Sequence, residues 1–255
     1  MPKRNAQWRR RAIIDRLHEQ GEVSVESLAE CFQTSEVTIR KDLTALETSG
    51  LLLRRYGGAV PLPSDLVPDD TPGSVQKQTI ARLAAELIRD HNRIIIDSGH
   101  TTAALLPHLS ARRGLVVMTN ALAVANQLLE LENEPTLLMT GGTWDARSEA
   151  FQGQLAEQIL RSYDFDQLFI GADGLDIERG TTTFNELYSL SRVMADTARQ
   201  VVVMAESDKL GRRIHNVELP WAQVDILVTD EGLPDSAARE IESNGVRVIR
   251  PANNL

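Results

Sequence analysis

Apolar residues recur along the chain with two different periods, and the change of period divides it. Up to about residue 50 the spacing is helical. In "WRRRAIIDRLHEQG" Ile13, Ile14 and Leu17 fall on one stripe, and Gly21 follows as a C-terminal stop. In "SVESLAECF" Ser24 stands where an N-cap belongs, and Val25, Leu28, Ala29 and Phe32 are spaced i, i+3, i+4, i+7. A third pattern, "EVTIRKDLTALETSG", follows Ser35, puts Ile39, Leu43 and Leu46 on its inner face and ends at Gly50. Two helices joined by about four residues, the second polar on its outer face, predict a helix-turn-helix. "LLLRRYGGAV" then predicts a hairpin wing: a strand from Leu51 to Arg55, a turn at Gly57-Gly58 and a return strand from Ala59.

Beyond residue 74 short apolar runs alternate with amphipathic helical patterns. The runs are Ile94–Ile96, Leu115–Met118, Thr136–Met139, Leu168–Ile170, Gln200–Met204, Ile226–Val228 and Val246–Ile249. "SVQKQTIARLAAELIRD", "ALAVANQLLELE" and "NELYSLSRVMADTA" are three of the helical patterns between them. Strands without polar interruption are buried on both faces, so this part predicts an α/β unit with a mainly parallel, Rossmann-like sheet. Between the two regimes, residues 57–74 hold four of the ten prolines. Proline at that density breaks helix and ladder alike. The expected organisation is a winged helix-turn-helix over residues 1–60, a proline-rich linker over 61–74 and an α/β unit over 75–255.

Composition narrows this picture. The formal net charge is -9, but the first 58 residues hold 10 basic and 8 acidic side chains. Lys3, Arg4, Arg9, Arg10 and Arg11 are crowded at the start, a local field that attracts phosphates on an otherwise acidic chain. Apolar runs reach about five residues, as at Val201 to Ala205, against the roughly 20 of a membrane span. No apolar segment follows the basic start, so a cytoplasmic protein without a membrane partner is expected. Cys31 is the sole cysteine, which excludes an intrachain disulfide and a cysteine zinc site. Its place beside an apolar stripe predicts a buried thiol. No histidine or carboxylate spacing suggests a metal, and no cofactor is expected.

Two sets of residues carry candidate chemistry. On the third helix Val37, Arg40, Lys41 and Thr44 face away from the apolar stripe, on the side that would enter a DNA major groove. Arg40 is suited to a guanine edge or to a phosphate. Ser35 and Thr38 suit a phosphate at the helix start, and Arg54, Arg55 and Tyr56 suit an adjacent groove or backbone. The second set follows the strands: "DSGHTT", "TNA", "TGG", "GADG" and "ESDKLGRR" stand where an open parallel sheet binds its ligands. Glycine admits an anion to the backbone, and serine and threonine add hydroxyl donors. Asp97 caps its own loop or contacts the ligand, and Asp173 accepts a sugar hydroxyl or closes a turn. Glu186 binds a hydroxyl or favours its helix N-terminus, and Lys209 pairs with a phosphate or stays solvated. An isomerase with a fused DNA-binding domain is the alternative to a regulator, but no acid–base pair stands out for it.

These residues match a known pattern. Through "VTIRKDL", "RRYGGA", "IIIDSGHTT", "LMTGGTWDARSEAFQG", "FDQLFIGADGLDIERGTTTFNE" and "MAESDKLGRR" the chain resembles the DeoR family of bacterial transcriptional regulators over nearly its whole length. The resemblance implies an effector unit similar to ribose-5-phosphate isomerase and glucosamine-6-phosphate deaminase. It also implies repression of sugar or amino-sugar genes, a phosphorylated sugar as effector, operator DNA as partner, and a homodimer or homotetramer. It makes Ser98, Gly99, His100, Thr101 and Thr102 the phosphate loop. Asn120, Gly141, Gly142, Arg147, Asp173 and Lys209 would line the remainder. His100 departs from the pattern, where threonine or serine is usual. Within the family the chain looks most like regulators of amino-sugar or hexitol metabolism and resembles the repressor associated with glucosamine-6-phosphate synthase genes, which makes glucosamine 6-phosphate the first expectation for the effector.

Overall fold

The computed structural model describes residues 6–48, 52–55, 57–60, 74–146, 148–185, 188–212 and 214–251. The expected contacts Tyr56, Arg147 and Glu186, and the linker apart from Ser74, lie outside the described residues. The chain divides into two compact units, residues 1–67 and 68–255.

The N-terminal unit runs α1 (Ala6–Gln20), β1 (Val23–Ser24), α2 (Val25–Cys31), α3 (Glu36–Thr48), β2 (Leu53–Arg55) and β3 (Gly58–Val60). Its core is the predicted stripes brought together: Ile13 and Leu17, Val25 and Leu28, and Ile39, Leu43 and Leu46 are buried, closed by Leu52 and Ala59. Both predicted caps form. The Ser24 hydroxyl accepts from the Ser27 amide at 3.1 Å, and Ser35 accepts from the Thr38 amide at 3.2 Å. The wing has a third strand that the sequence pattern did not reveal. β3 lies between β2 and β1, with Leu53 opposite Val60 and Val23 opposite Ala59. Gly58 is required where these strands meet, since a Cβ there would lie 2.1 Å from the Val23 carbonyl oxygen. Cys31 is exposed, not buried as its pattern suggested. α2 ends there, and the stripe passes to Phe32, leaving the thiol on the outside.

The basic start is partly consumed by the fold. Arg9 and Arg10 each donate an Nε–H to the buried Asp42 carboxylate on α3, at 2.5 and 2.9 Å. These charge-assisted bonds tie α1 to α3 and neutralise a carboxylate that its burial would otherwise penalise.

The C-terminal unit contains a seven-stranded sheet with every pairing parallel. The strands are β4 (Arg93–Ile96), β5 (Val116–Thr119), β6 (Thr136–Met139), β9 (Gln167–Ile170), β12 (Val201–Met204), β14 (Ile226–Val228) and β15 (Arg247–Ile249), in the order β15-β14-β12-β9-β4-β5-β6. They are the seven predicted apolar runs. Helices α4 (Val75–Ala85) and α6 (Leu122–Leu129) cover one face through Ile80, Ala81, Ala84, Val124 and Leu128. α7 (Gln154–Leu160), α8 (Ser189–Asp196) and α9 (Asp235–Ser243) cover the other through Leu160, Met194 and Ile241. Adjacent strand residues divide accordingly, with Ile94 and Ile96 packing on the first face and Ile95 on the second. Five short strands lie outside this sheet. β7 (Thr143–Asp145) and β8 (Ala150–Gln152) form a hairpin, while β10 (Gly174–Asp176), β11 (Gly180–Thr183) and β13 (Asn216–Pro220) form a small antiparallel sheet.

Strand order fixes where a ligand can enter. The chain moves outward from β4 to β5 and β6, then returns to place β9 on the other side of β4. The connections leaving β4 and β9 therefore diverge, and in open sheets of this kind the crevice beyond such carboxyl ends is where ligands bind.

Candidate functional site

On α3 the residues expected to read DNA form an outward face. Ser35, Val37, Arg40, Lys41 and Thr44 are exposed and Thr38 is half-buried. Val37, Arg40, Lys41, Thr44 and Ala45 line a shallow concavity on it. Arg40 donates to Glu36 at 2.8 Å, an exposed i,i+4 pair of the kind that contributes little and releases easily. The wing is fastened to this helix: the Arg54 amide donates to Glu47 at 3.1 Å, and the Arg54 guanidinium donates to the Thr44 hydroxyl at 3.0 Å. Arg55 is exposed beside it. The arrangement presents a cationic helix face and an arginine-bearing wing from a rigid core.

In the C-terminal unit the loop after β4 meets residues following β5, β9 and β12. The Asp97 amide donates to the Phe169 carbonyl at the end of β9, and Asn120 Nδ2 donates to Asp97 Oδ1 at 2.8 Å. Gly99, at φ 124°, turns the chain into α5 (His100–Ala103) with a conformation that a side chain would disfavour. The two threonines point inward. The Thr102 hydroxyl is engaged with the carbonyls of Asp97 and Gly99, both at 2.9 Å, and the Thr101 hydroxyl donates to Glu206 at 3.2 Å. They brace the loop, leaving Gly99 and His100 exposed and Ser98 half-buried. Gly141 and Gly142 follow β6, and the Phe151 amide of the next hairpin donates to the Asn120 carbonyl at 2.7 Å.

Lys209, read from sequence as either a phosphate partner or a solvated lysine, is largely buried and paired with Glu206 at 3.1 Å. Glu206 is also paired with Lys77 at 3.5 Å, and Lys77 is almost wholly buried. Asp173 is tied across to the end of β11, accepting from the Thr183 hydroxyl at 2.8 Å and the Phe184 amide at 3.0 Å. Its carbonyl accepts from the buried Arg212, whose guanidinium also pairs with Asp208. On β13 the buried Glu218 accepts from the Ser191 hydroxyl at 2.7 Å.

The acidic side of this crevice is strained electrostatically. Burial pushes the Asp97 carboxyl up to about 6, against hydrogen bonds from Ser98 and Asn120, and the Asp173 charge adds to the rise. Burial likewise pushes Glu218 up to about 8, against its Ser191 bond, with Asp97 and Asp173 adding to it. Asp97 and Glu218 thus both feel the charge of Asp173, and Glu218 also feels that of Asp97. Sequence reasoning missed Lys77, Glu206, Arg212 and Glu218. Lys77 sits in an ordinary helical pattern, and Glu218 lies on a short strand with no motif of its own.

A helix-turn-helix with a wing, followed in the same chain by a parallel α/β unit with a polar crevice at its switch point, is the build of a two-part DNA-binding regulator. The comparisons agree. Residues 9–64 match the model of the DeoR-like helix-turn-helix domain, and residues 73–231 match that of the DeoR C-terminal sensor domain. The chain belongs to the DeoR family of transcriptional regulators. It is 38% identical to a putative aga operon transcriptional repressor of Escherichia coli O157:H7, over 94% of this chain and 92% of that one. It is 35% identical to the regulator GlpR of Haloferax volcanii, over 94% and 96%. Among solved structures, ribose 5-phosphate isomerase A of Methanocaldococcus jannaschii matches at TM-score 0.40 and 18% identity, over 53% of this chain and 54% of that one.

Proposed function

We propose that this protein is a repressor of sugar or amino-sugar genes, released from its operator by a phosphorylated sugar, and that glucosamine 6-phosphate is the effector to try first. It acts as a homodimer or homotetramer, placing recognition helices on half-sites about one helical turn apart or a multiple of it. The crevice serves as a sensor and not as an isomerase site.

The observation that supports this most is the polarity of the crevice. Lys209 stands beside the SGHTT loop, joined to it through Glu206 and Thr101. Asp97 and Glu218, both pushed up by burial, stand with Asp173 as an acidic group. A ligand with a phosphate at one end and an ammonium at the other answers both poles, which is the chemistry of an amino-sugar phosphate. The candidate contacts Asp97, Ser98, Gly99, His100, Thr101, Thr102, Asn120, Gly141, Gly142, Arg147, Asp173, Glu186 and Lys209 belong to this proposal, with Thr101 and Thr102 contributing loop shape more than free hydroxyls.

Thermal unfolding with matched ligands tests it. At a hundredfold excess over Kd a ligand adds about 2.7 kcal/mol, which raises the melting temperature by roughly 5–10 °C for a unit of this size. Glucosamine 6-phosphate is expected to give the largest rise, glucose 6-phosphate less, and glucosamine least. No rise with any hexose or pentose phosphate would remove the sensing role.

A further inference from the structure

Lys77 is the least expected charged residue of the molecule. It is 1% exposed, on the first turn of α4. A buried lysine costs several kcal/mol unless paired, and a buried ion pair is commonly matched or bettered by apolar residues of the same volume. Stability alone is therefore a poor reason for a lysine here. Its surroundings supply a better one. Its Nζ lies 3.5 Å from Glu206 Oε1, while Lys209 Nζ lies 3.1 Å from Glu206 Oε2. One carboxylate is shared by two ammoniums, and the Thr101 hydroxyl donates to the same group.

We propose that Lys77 is a positioning residue for Lys209, and that through their shared carboxylate it carries the occupancy of the crevice to the first turn of α4. The proposal rests on the sensing role of Lys209 given above. A phosphate that draws Lys209 takes away the nearer of the two cations on Glu206. Glu206 then turns to Lys77 and Thr101. Lys77 follows the carboxylate from the first turn of α4, whose next turns are anchored by the fully buried Ile80, Ala81 and Ala84. The N-cap of α4 is Ser74, whose hydroxyl accepts from the Lys77 amide at 3.3 Å and whose carbonyl accepts from the Gln78 amide at 3.1 Å. The sequence of contacts SGHTT loop, Glu206, Lys77, Ser74 is thus continuous, and Glu206 gives it two alternative states, which contiguity by itself would not.

Hydrogen exchange on the full chain tests this, with glucosamine 6-phosphate as probe and with inorganic phosphate as a second. In the wild-type protein, ligand is expected to slow exchange at residues 98–102 and to change it at residues 75–79. Change at the loop with none at 75–79 overturns the relay. No change at 98–102 or 206–209 with either probe, or with any other sugar phosphate, refutes the sensing reading itself, and the relay with it. The Lys77→Met variant, similar in length and apolar, supplies the second arm. With each protein held at saturating probe, ligand is expected to shift wild-type operator affinity by about 5–150-fold, and that of Lys77→Met by less than about twofold. A variant released from DNA as readily as the wild type overturns the proposal. The wild-type exchange arm decides the matter if the variant does not fold.

Discussion

Glu218 is a carboxyl group whose ionisation the fold resists, and this gives it an unusual pH signature. In the unfolded chain it loses its proton near the ordinary 4.5, and in the folded state near 8. Between those values the folded state holds more protons than the unfolded one, so stability falls as pH rises through the window. Asp97 adds a fall of the same sign between 3.8 and about 6. Glu218→Gln keeps an oxygen to accept from Ser191 and cannot ionise. Its melting temperature is expected to decline less than that of the wild type between pH 5 and 8, and to be the higher of the two above pH 8. Parallel curves for the two proteins would show that Glu218 does not titrate in this way. A ligand ammonium near Glu218 would favour its charged form, so binding near neutral pH is expected to release protons, visible as a buffer-dependent calorimetric heat.

At the scale of elements, α3 has two faces with separable roles. Its inner face is tied to α1 through Asp42, so Asp42→Asn removes a charge-assisted acceptor from both Arg9 and Arg10. The expected cost is about 1–3 kcal/mol. A domain of this size has only about 0.05–0.15 kcal/mol per residue to lose. Calorimetry should show the N-terminal transition shifted down and the sensor transition unmoved. The outer face is tested by Arg40→Ala. If Arg40 reads a guanine, affinity for a selected operator falls by about 1–3 kcal/mol and discrimination at one position relaxes. If it holds a phosphate, affinity falls evenly across sequences and the salt slope drops by about 1. Operator binding equal to wild type removes Arg40 from the interface.

Legibility from sequence also followed the elements. The seven parallel strands could be read because burial on both faces leaves no polar residue within runs such as Ile94–Ile96 or Val201–Met204. The threonine-rich β11 could not, since "GTTT" gains its burial from β10 and β13 and not from its own composition. β1 was hidden for a similar reason: two residues pair only because β3 arrives beside them. In the crevice, the loops announced themselves through glycine and hydroxyl residues at strand ends. The charges that complete it did not. Thr101 and Glu206 are 105 positions apart, and nothing local to Lys77 says that Glu206 will meet it.

For the whole molecule, reading and sensing are assigned to two units of one chain, residues 1–67 and 68–255. The order of strands in the sensor has a further consequence, for synthesis. β4 is made first but lies inside the sheet, and its neighbour β9, the central strand, begins only at Gln167. Until that residue has left the ribosome, β4, β5 and β6 can associate only as a half-sheet with the open edge of β4 exposed. The N-terminal unit, built from local contacts, can fold long before. Each new molecule thus passes through an interval in which its DNA-reading head is complete and its ligand control is not. Nascent chains arrested before β9 are expected to expose the open edge of β4, so pelleting of such arrested chains against full-length ones checks this.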